Sequence, residues 1–206
     1  MLFRSAVSSL ANGGTASAST PTTVCTGTNS TSLSVTGNTG TIQWQSSTDS
    51  TNFNNISGAT STTYTATSLT QKTFFRAVVT SGVCAPANSS TATINVNAAS
   101  VGGTVAVTTS NPICTGAGNS VTFSLSGQTG SVTKWQWSAS SDFSTTVTDV
   151  AGTSTTLTQT GLTASRYYRA VVTNGVCAAA NSAGALITVS PTSVADRKST
   201  RLNSSH

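Results

Sequence analysis

The chain has 206 residues, of which only 6% are charged: nine are Lys or Arg, and four are Asp or Glu. Ser, Thr, Asn and Gly are abundant, and the sequence contains no long apolar run. This composition predicts a soluble, β-rich chain and excludes a membrane span of ordinary length.

Both ends of the chain resemble translated sequencing adapter. Residues 1–5 read MLFRS, residues 196–206 read DRKSTRLNSSH, and both back-translate to adapter-like codons. We expect them to be artefacts and exclude them from fold reasoning; the alternative is a natural basic tail. Residues 6–195 then carry five basic and three acidic side chains, a net charge of +2, and no His. A nucleic-acid partner is not expected, because it would need a dense basic surface.

The remaining sequence contains two copies of one unit. NGGTASASTPTTVC, ending at Cys25, aligns without a gap with VGGTVAVTTSNPIC, ending at Cys114. FFRAVVTSGVC, ending at Cys84, recurs as YYRAVVTNGVC, ending at Cys177, and a Gln-Trp pair precedes each of these Cys by the same interval. A period of about ninety residues indicates a repeated domain, not a short solenoid unit.

This duplication predicts the domain boundaries. Residues 187–195 follow residues 94–102 at a constant offset, so we expect the two copies to come from a longer series. The predicted segments are 6–11 as the tail of a preceding repeat, 12–97 as the first domain, 98–100 as a linker, 101–190 as the second domain and 191–195 as the start of the next linker or repeat.

Alternating apolar and polar residues mark several short strands in each copy. In the first copy the predicted inward side chains are, in chain order, Leu33, Val35, Ile42, Trp44, Tyr64, Phe75, Ala77 and Val79. In the second they are Val121, Phe123, Leu125, Trp135, Trp137, Leu157, Tyr168, Ala170 and Val172. The opposite register would bury Arg76 or Arg169. The pattern predicts an all-β fold of two tandem immunoglobulin-like antiparallel β-sandwich domains.

Two further residues complete the predicted core, Leu69 and Leu162. Each precedes an aromatic residue by six positions, Phe75 in the first copy and Tyr168 in the second. This spacing resembles the tyrosine corner of immunoglobulin-like and fibronectin-like domains. Phe75 has no hydroxyl, so the corner hydrogen bond cannot form in the first copy.

The four cysteines predict disulfides. Residues 6–195 contain neither a C-x-x-C motif nor a His, which favours disulfides over zinc and implies an oxidising, extracellular location. We expect pairing within each copy, Cys25 with Cys84 and Cys114 with Cys177. That pairing requires residues 25–29 and 114–119 to run along the sheet edge beside the last strand.

The combination of V/I-C-T-G, QW, S-x-T-Y/L and [FY][FY]RAVVT-x-GVC resembles the immunoglobulin-like repeats of large adhesin-type proteins that Bacteroidota secrete or display on the cell surface. The resemblance implies a non-catalytic spacer or adhesive module of a longer extracellular protein. Its implied partners are neighbouring repeats of the same chain, with surface glycans or proteins as further candidates. The alternative is a carbohydrate-binding or structural accessory region of a secreted multidomain enzyme.

Chemical sites are scarce. Residues 6–195 contain no His and no Glu, which excludes Ser-His-Asp, Cys-His and paired-Glu catalysis, so we expect no enzyme activity, no catalytic residue and no cofactor. Asp49, Asp142 and Asp149 give one or two carboxylates per domain, fewer than calcium usually requires. We predict no metal site, and a structural role in turns for Asp49 and Asp142.

One outward sheet face is the candidate binding surface. An exposed aromatic side chain beside Gln and Arg suits stacking on a sugar or docking of a partner. The favoured alternative is cross-strand pairing that only stabilises the sheet. The face comprises Gln43, Gln45, Phe74, Arg76 and Val78, matched by Lys134, Gln136, Tyr167, Arg169 and Val171.

Overall fold

The computed structural model describes residues 9–116 and 118–191, and within them every regular element is a β-strand. The predicted adapter-derived segments, 1–5 and 196–206, lie outside the described residues, as do residues 6–8 and 192–195 of the flanking segments. The described residues form two compact units. The first contains residues 9–101 with Thr173–Ala179, and the second contains Gly102–Val172 with residues 180–191.

The first repeat is a sandwich of two sheets. Its strands are β1 (Thr15–Ala18), β2 (Thr23–Cys25), β3 (Ser30–Thr36), β4 (Thr41–Ser47), β5 (Asn54–Asn55), β6 (Thr63–Thr67), β7 (Thr73–Thr80), β8 (Ala87–Asn88) and β9 (Ala92–Asn97). One sheet has the order β1-β3-β6, and the other has the order β2-β9-β7-β4-β5, with β8 also paired to β7. The strands pair antiparallel except β2, which runs parallel to β9.

The second repeat has the same plan. Its strands are β10 (Thr104–Val107), β11 (Ile113–Cys114), β12 (Ser120–Ser126), β13 (Ser131–Ser138), β14 (Val147–Val150), β15 (Thr156–Thr160), β16 (Arg166–Thr173), β17 (Ala180–Asn181), β18 (Ala185–Ile187) and β19 (Val189–Ser190). One sheet has the order β10-β12-β15, and the other has β14-β13-β16-β17, with β18 also paired to β16. β11 runs parallel to β19, as β2 does to β9.

The core of each repeat comes from alternate residues of the facing sheets. Strand β7 shows the pattern most clearly, because Phe75, Ala77 and Val79 are at most 2% exposed while Arg76 between them is half-buried. Their counterparts Tyr168, Ala170 and Val172 in β16 are fully buried. Burying one large apolar side chain contributes roughly 1.5–3 kcal/mol, so Phe75 and Tyr168 each favour this register by that amount.

The tryptophans differ from the predicted arrangement. Trp44 and Trp135 are fully buried, and each indole N–H donates to a carbonyl, that of Ser61 at 2.9 Å and that of Ser154 at 3.0 Å. Trp135 is therefore the counterpart of Trp44. Trp137 lies at the margin of the core, where the Arg166 guanidinium carbon stands 3.8 Å from its ring centroid. Trp137, predicted as a core residue, is partly buried and packs against the core cluster, as Leu69 does in the first repeat.

The shift follows from one extra residue before the buried tryptophan in β13. The buried residues Ile42 and Trp44 are two positions apart in β4, whereas Val132 and Trp135 are three apart in β13. One extra residue in a strand re-aims every side chain after it. The equal Trp-to-Cys spacing in the sequence therefore aligned the wrong tryptophans.

The double glycine at the start of each repeat serves close packing and backbone conformation. A Cβ on Gly13 would collide with the carbonyl oxygen of Asn88, and a Cβ on Gly102 would collide with that of Asn181. The next residue, Gly14, has a φ of 70°, which favours glycine. The motif is therefore a structural joint between the first strand and the edge of the opposite sheet.

Candidate functional site

The disulfide is the first candidate for a functional feature. Cys25 is bonded to Cys177, with an S–S distance of 2.07 Å and a Cα–Cα distance of 4.9 Å, across a sequence separation of 152 residues. The bond links the two repeats of the sequence covalently. The predicted pairing within each repeat, Cys25 with Cys84 and Cys114 with Cys177, is wrong.

Strand topology explains why the predicted pair in the first repeat cannot form. Cys25 lies opposite Asn97, the last residue of β9, because β2 runs parallel to β9. Cys84 lies in the turn between β7 and β8, beyond the opposite end of β9. Six residues of strand separate those ends by roughly 17 Å or more, whereas a disulfide needs Cα atoms about 4.4–6.8 Å apart.

The segments beside the last strands also differ slightly from the prediction. Residues 25–29 and 114–119 were expected along this edge, but the paired residues are Thr23–Cys25 and Ile113–Cys114. The chain leaves the edge after each cysteine, following one further backbone hydrogen bond from Thr26 to Asn97 in the first repeat and from Thr115 to Ser190 in the second.

The turn that carries Cys177 is held by hydrogen bonds within the first unit. Asn174 donates from its side-chain amide to the Ala98 carbonyl at 2.9 Å and from its backbone N–H to the Ser100 hydroxyl at 2.9 Å. Gly175 has a φ of 56°, and a Cβ there would overlap the Asn97 side chain. The turn Thr173–Ala179, which the sequence places in the second repeat, therefore belongs to the compact unit of the first.

The outward face of the first repeat is a network of internal contacts. Arg76 donates from Nε to Gln45 Oε1 at 2.8 Å, and its guanidinium carbon stands 4.1 Å from the Phe53 ring centroid. Gln45 in turn donates to Asn55 Oδ1 at 2.8 Å. Gln43 donates to the carbonyls of Trp44 and Ile56, at 2.9 and 2.7 Å.

Phe74 of the same face is half-buried, and the Lys72 ammonium lies 5.0 Å from its ring centroid. This distance lies within the range of a cation–π contact. The aromatic side chain that the sequence offered as a ligand platform thus already has a cation beside it.

The second repeat reproduces the central part of this network. Arg169 donates from Nε to Gln136 Oε1 at 2.9 Å and stands 4.1 Å from the Phe143 ring centroid. Gln136 and Lys134 both donate to Asp149, each at 2.8 Å, and these bonds, that of Lys134 first, lower the pKa of the Asp149 carboxyl. Burial lowers the pKa of Arg169.

Two other residues of this face are half-buried or buried. Tyr167 is half-buried in β16. Val171 is buried although it lies outside the core cluster that contains its neighbours Ala170 and Val172. The structure thus brings the predicted face residues together. It also gives most of their polar groups partners within the face, which favours cross-strand stabilisation.

The aspartates Asp49 and Asp142 organise turns. Asp49 accepts hydrogen bonds from the backbone and side chain of Asn52 and from the backbone of Thr51, and these hold its pKa well below the usual range. Asp142 accepts bonds from the side chain of Ser140 and from Ser144, which lower its pKa to about 2. Within residues 9–116 and 118–191 no cluster of three or more metal-ligating side chains is found.

An asparagine clamp in each repeat was not predicted. Asn29 donates to the carbonyls of Cys25 and Leu69, at 2.8 and 2.7 Å, and accepts from the Leu69 N–H at 2.9 Å. Asn119 makes the same three bonds to Cys114 and Leu162. The sequence signal for this clamp was an Asn that follows the first cysteine of each repeat by four or five residues. Many other polar residues surround it, so the Asn does not stand out.

In each repeat the clamp binds the leucine, Leu69 or Leu162, whose spacing from the next aromatic residue resembles a tyrosine corner. The Tyr168 hydroxyl is buried and has no hydrogen-bond partner among the described residues. Burial raises the pKa of Tyr168, and Arg166 nearby partly offsets the rise. Leu162 is buried and Leu69 partly buried, as core residues.

A model of one protein family matches the chain twice, at residues 12–98 and 101–191; its description is a domain of unknown function (DUF8696). The chain belongs to this family. Its two matches and the strands described above confirm the predicted all-β fold in two tandem sandwich domains. No curated protein sequence matches the chain.

The solved structures to which the chain is similar share little of its sequence. Domains A168–A170 from titin are 14% identical, with a TM-score of 0.48, covering 87% of this chain and 68% of that one. A two-domain fibronectin type III segment from chicken tenascin is 17% identical, with a TM-score of 0.34, covering 86% and 99%. Fibronectin(III)-like modules of CbhA from Clostridium thermocellum are 14% identical, with a TM-score of 0.37, covering 93% and 98%.

Proposed function

We propose that the chain is a non-catalytic, extracellular spacer of a larger bacterial surface or secreted protein, in which a disulfide between consecutive repeats limits extension under load. The observation that carries this proposal is the Cys25–Cys177 bond. It encloses most of both family matches, residues 12–98 and 101–191. A bond within one repeat would protect only that repeat.

The bond changes what a pulling force can do. A force applied outside Cys25 and Cys177 passes through the disulfide, so the enclosed chain cannot lengthen even if both sandwiches unfold. A separation of 152 residues corresponds to roughly 500 Å of extended chain at about 3.3–3.6 Å per residue. The linkage therefore converts two extensible domains into a spacer of nearly fixed length.

The same bond supports an extracellular location, because disulfides persist in oxidising compartments. No helix in the described residues is long and apolar enough to cross a membrane. The resemblance to secreted repeats of Bacteroidota points to the same compartment. The outward face supports a structural role over sugar binding, because Arg76 and Arg169 are already stacked on Phe53 and Phe143.

Single-molecule force extension of the full chain, pulled through its two ends, tests this function. The oxidised chain is expected to release only the length outside Cys25 and Cys177, and reduction should add roughly 500 Å of contour length. The Cys25→Ser variant should behave as the reduced chain in oxidising buffer, and Cys114→Ser should behave as the oxidised parent. Release of the full length by the oxidised parent would exclude the spacer mechanism.

A further inference from the structure

We propose that Cys114 forms a disulfide with the second cysteine of another repeat of this family, so that the Cys25–Cys177 bond is one member of a series. The partner is chemically defined: a turn of the type Asn174-Gly175-Val176-Cys177, carried by a following repeat. The inference concerns a covalent partner and does not depend on whether the chain bears load.

Cys114 occupies the same place in the second repeat that Cys25 occupies in the first. Cys25 ends β2 and lies opposite Asn97 in the parallel pair with β9. Cys114 ends β11 and lies opposite Ser190 in the parallel pair with β19. Both cysteines therefore stand at the same end of the same edge strand.

The backbone around the two cysteines is held by the same hydrogen bonds. The residue after each cysteine donates to the last strand, Thr26 to Asn97 and Thr115 to Ser190, both at 2.8 Å. The clamp asparagine donates to the carbonyl of the cysteine itself, at 2.8 Å for Cys25 and 3.0 Å for Cys114. The conformation that presents Cys25 to its partner is thus already present at Cys114.

The two cysteines differ in their bonding state. Cys25 is bonded and partly buried, whereas Cys114 is exposed and forms no disulfide within residues 9–116 and 118–191. Cys114 has the backbone hydrogen bonds of Cys25 and is exposed to solvent, so it is accessible for forming a disulfide of the same kind. The Cys25–Cys177 bond shows which kind of residue reacts with this position: the cysteine of the turn between β16 and β17.

The reaction balances with a disulfide as oxidant. The Cys114 thiol and the partner thiol together lose two electrons and two protons as the S–S bond forms. A low-molecular-weight disulfide or a disulfide-bearing oxidoreductase accepts them by thiol–disulfide exchange and leaves as two thiols. Such oxidants belong to the same compartments that maintain the Cys25–Cys177 bond.

The test uses the chain lengthened by a copy of residues 101–191 placed directly after Pro191, refolded with oxidised and reduced glutathione. Tryptic digestion without reduction should link the peptide of residues 77–134 to the terminal peptide of the added copy, which carries the equivalent of Cys177. Cys84→Ser should retain this linkage, and Cys114→Ser should abolish it. In the unlengthened chain, iodoacetamide should alkylate Cys114 without prior reduction.

Two outcomes would overturn the proposal. One is a bond within the added copy, between its own equivalents of Cys114 and Cys177. The other is full alkylation of Cys114 in the lengthened chain although Cys25 remains bonded to Cys177. Because both are read from peptide masses, they are independent of the force measurement, so either idea can fail alone.

Discussion

The side-chain amide of Asn29 exchanges two hydrogen bonds with the backbone of Leu69, donating to its carbonyl at 2.7 Å and accepting from its N–H at 2.9 Å. A third bond, to the Cys25 carbonyl, ties the same amide to the disulfide. Asn29 thus joins the loop before β7 to the cysteine that links the repeats. The clamp recurs at Asn119, so both repeats of this chain contain it.

Replacing Asn29 by Ala should lower the free energy of unfolding by about 2–3 kcal/mol, because three partly buried hydrogen bonds are lost and backbone groups are left unpaired. Asn29→Asp should cost less at neutral pH, since it keeps the acceptor for the Leu69 N–H. Urea unfolding followed by tryptophan fluorescence measures the effect. The exposed Asn54→Ala is the control, and an equal loss in both variants would contradict the clamp.

Truncation of the two tryptophans of β13 should have unequal effects. Trp135→Ala should destabilise by about 3–5 kcal/mol, because it empties a fully buried site, whereas Trp137→Ala should cost clearly less. Thermal unfolding of both variants gives the comparison. A larger loss for Trp137→Ala would reinstate the alignment that equal Trp-to-Cys spacing suggested.

Two glycines of the second repeat form a matched pair. Gly102→Ala should destabilise by more than about 2 kcal/mol, since its Cβ would collide with the Asn181 carbonyl oxygen, and backbone must move to relieve the overlap. Gly118→Ala places its Cβ in open space and should leave stability nearly unchanged. The urea midpoints of the two variants test this. A lower midpoint for Gly102→Ala alone supports a packing role for the double glycine, and equal midpoints support a simple linker role.

The turn of Asp142 should contribute to acid sensitivity. Its folded pKa, about 2, lies below the usual value near 4, so its contribution is present above about pH 4 and is lost as the pH falls through about 2. Asp142→Asn should therefore flatten the dependence of the melting temperature on pH between about 4 and 2. Carboxyl carbon NMR measures the titration directly; an Asp142 midpoint near 4 would contradict the hydrogen bonds of this turn.

The strand register was predictable because alternation is a local property. The inward positions Phe75, Ala77 and Val79 follow from one polar residue, Arg76, that cannot be buried without a partner. Trp137 was aligned with Trp44 because each precedes its cysteine by 40 residues. The structural counterpart of Trp44, Trp135, precedes Cys177 by 42 residues, because the segment after it is longer in the second repeat. Alternation carries no information about an insertion of one residue.

The disulfide was not predictable from cysteine order. Which end of the sheet Cys25 reaches depends on the parallel pairing of β2 with β9, a long-range feature that leaves no periodic signal. Asn29 and Asn119 were missed for a related reason. Their partners, Leu69 and Leu162, are 40 and 43 positions away, and Asn is common in this chain.

The central claim, that one disulfide joins consecutive repeats, is tested most directly by a tryptic map of the oxidised chain without reduction. The bond predicts that the peptide of residues 5–72, which carries Cys25, is linked to the peptide of residues 170–197, which carries Cys177, while residues 77–134 are released separately. Pairing within each repeat would instead hold all three peptides together through Cys84 and Cys114. Recovery of that three-peptide species, with no direct link between Cys25 and Cys177, would contradict the account.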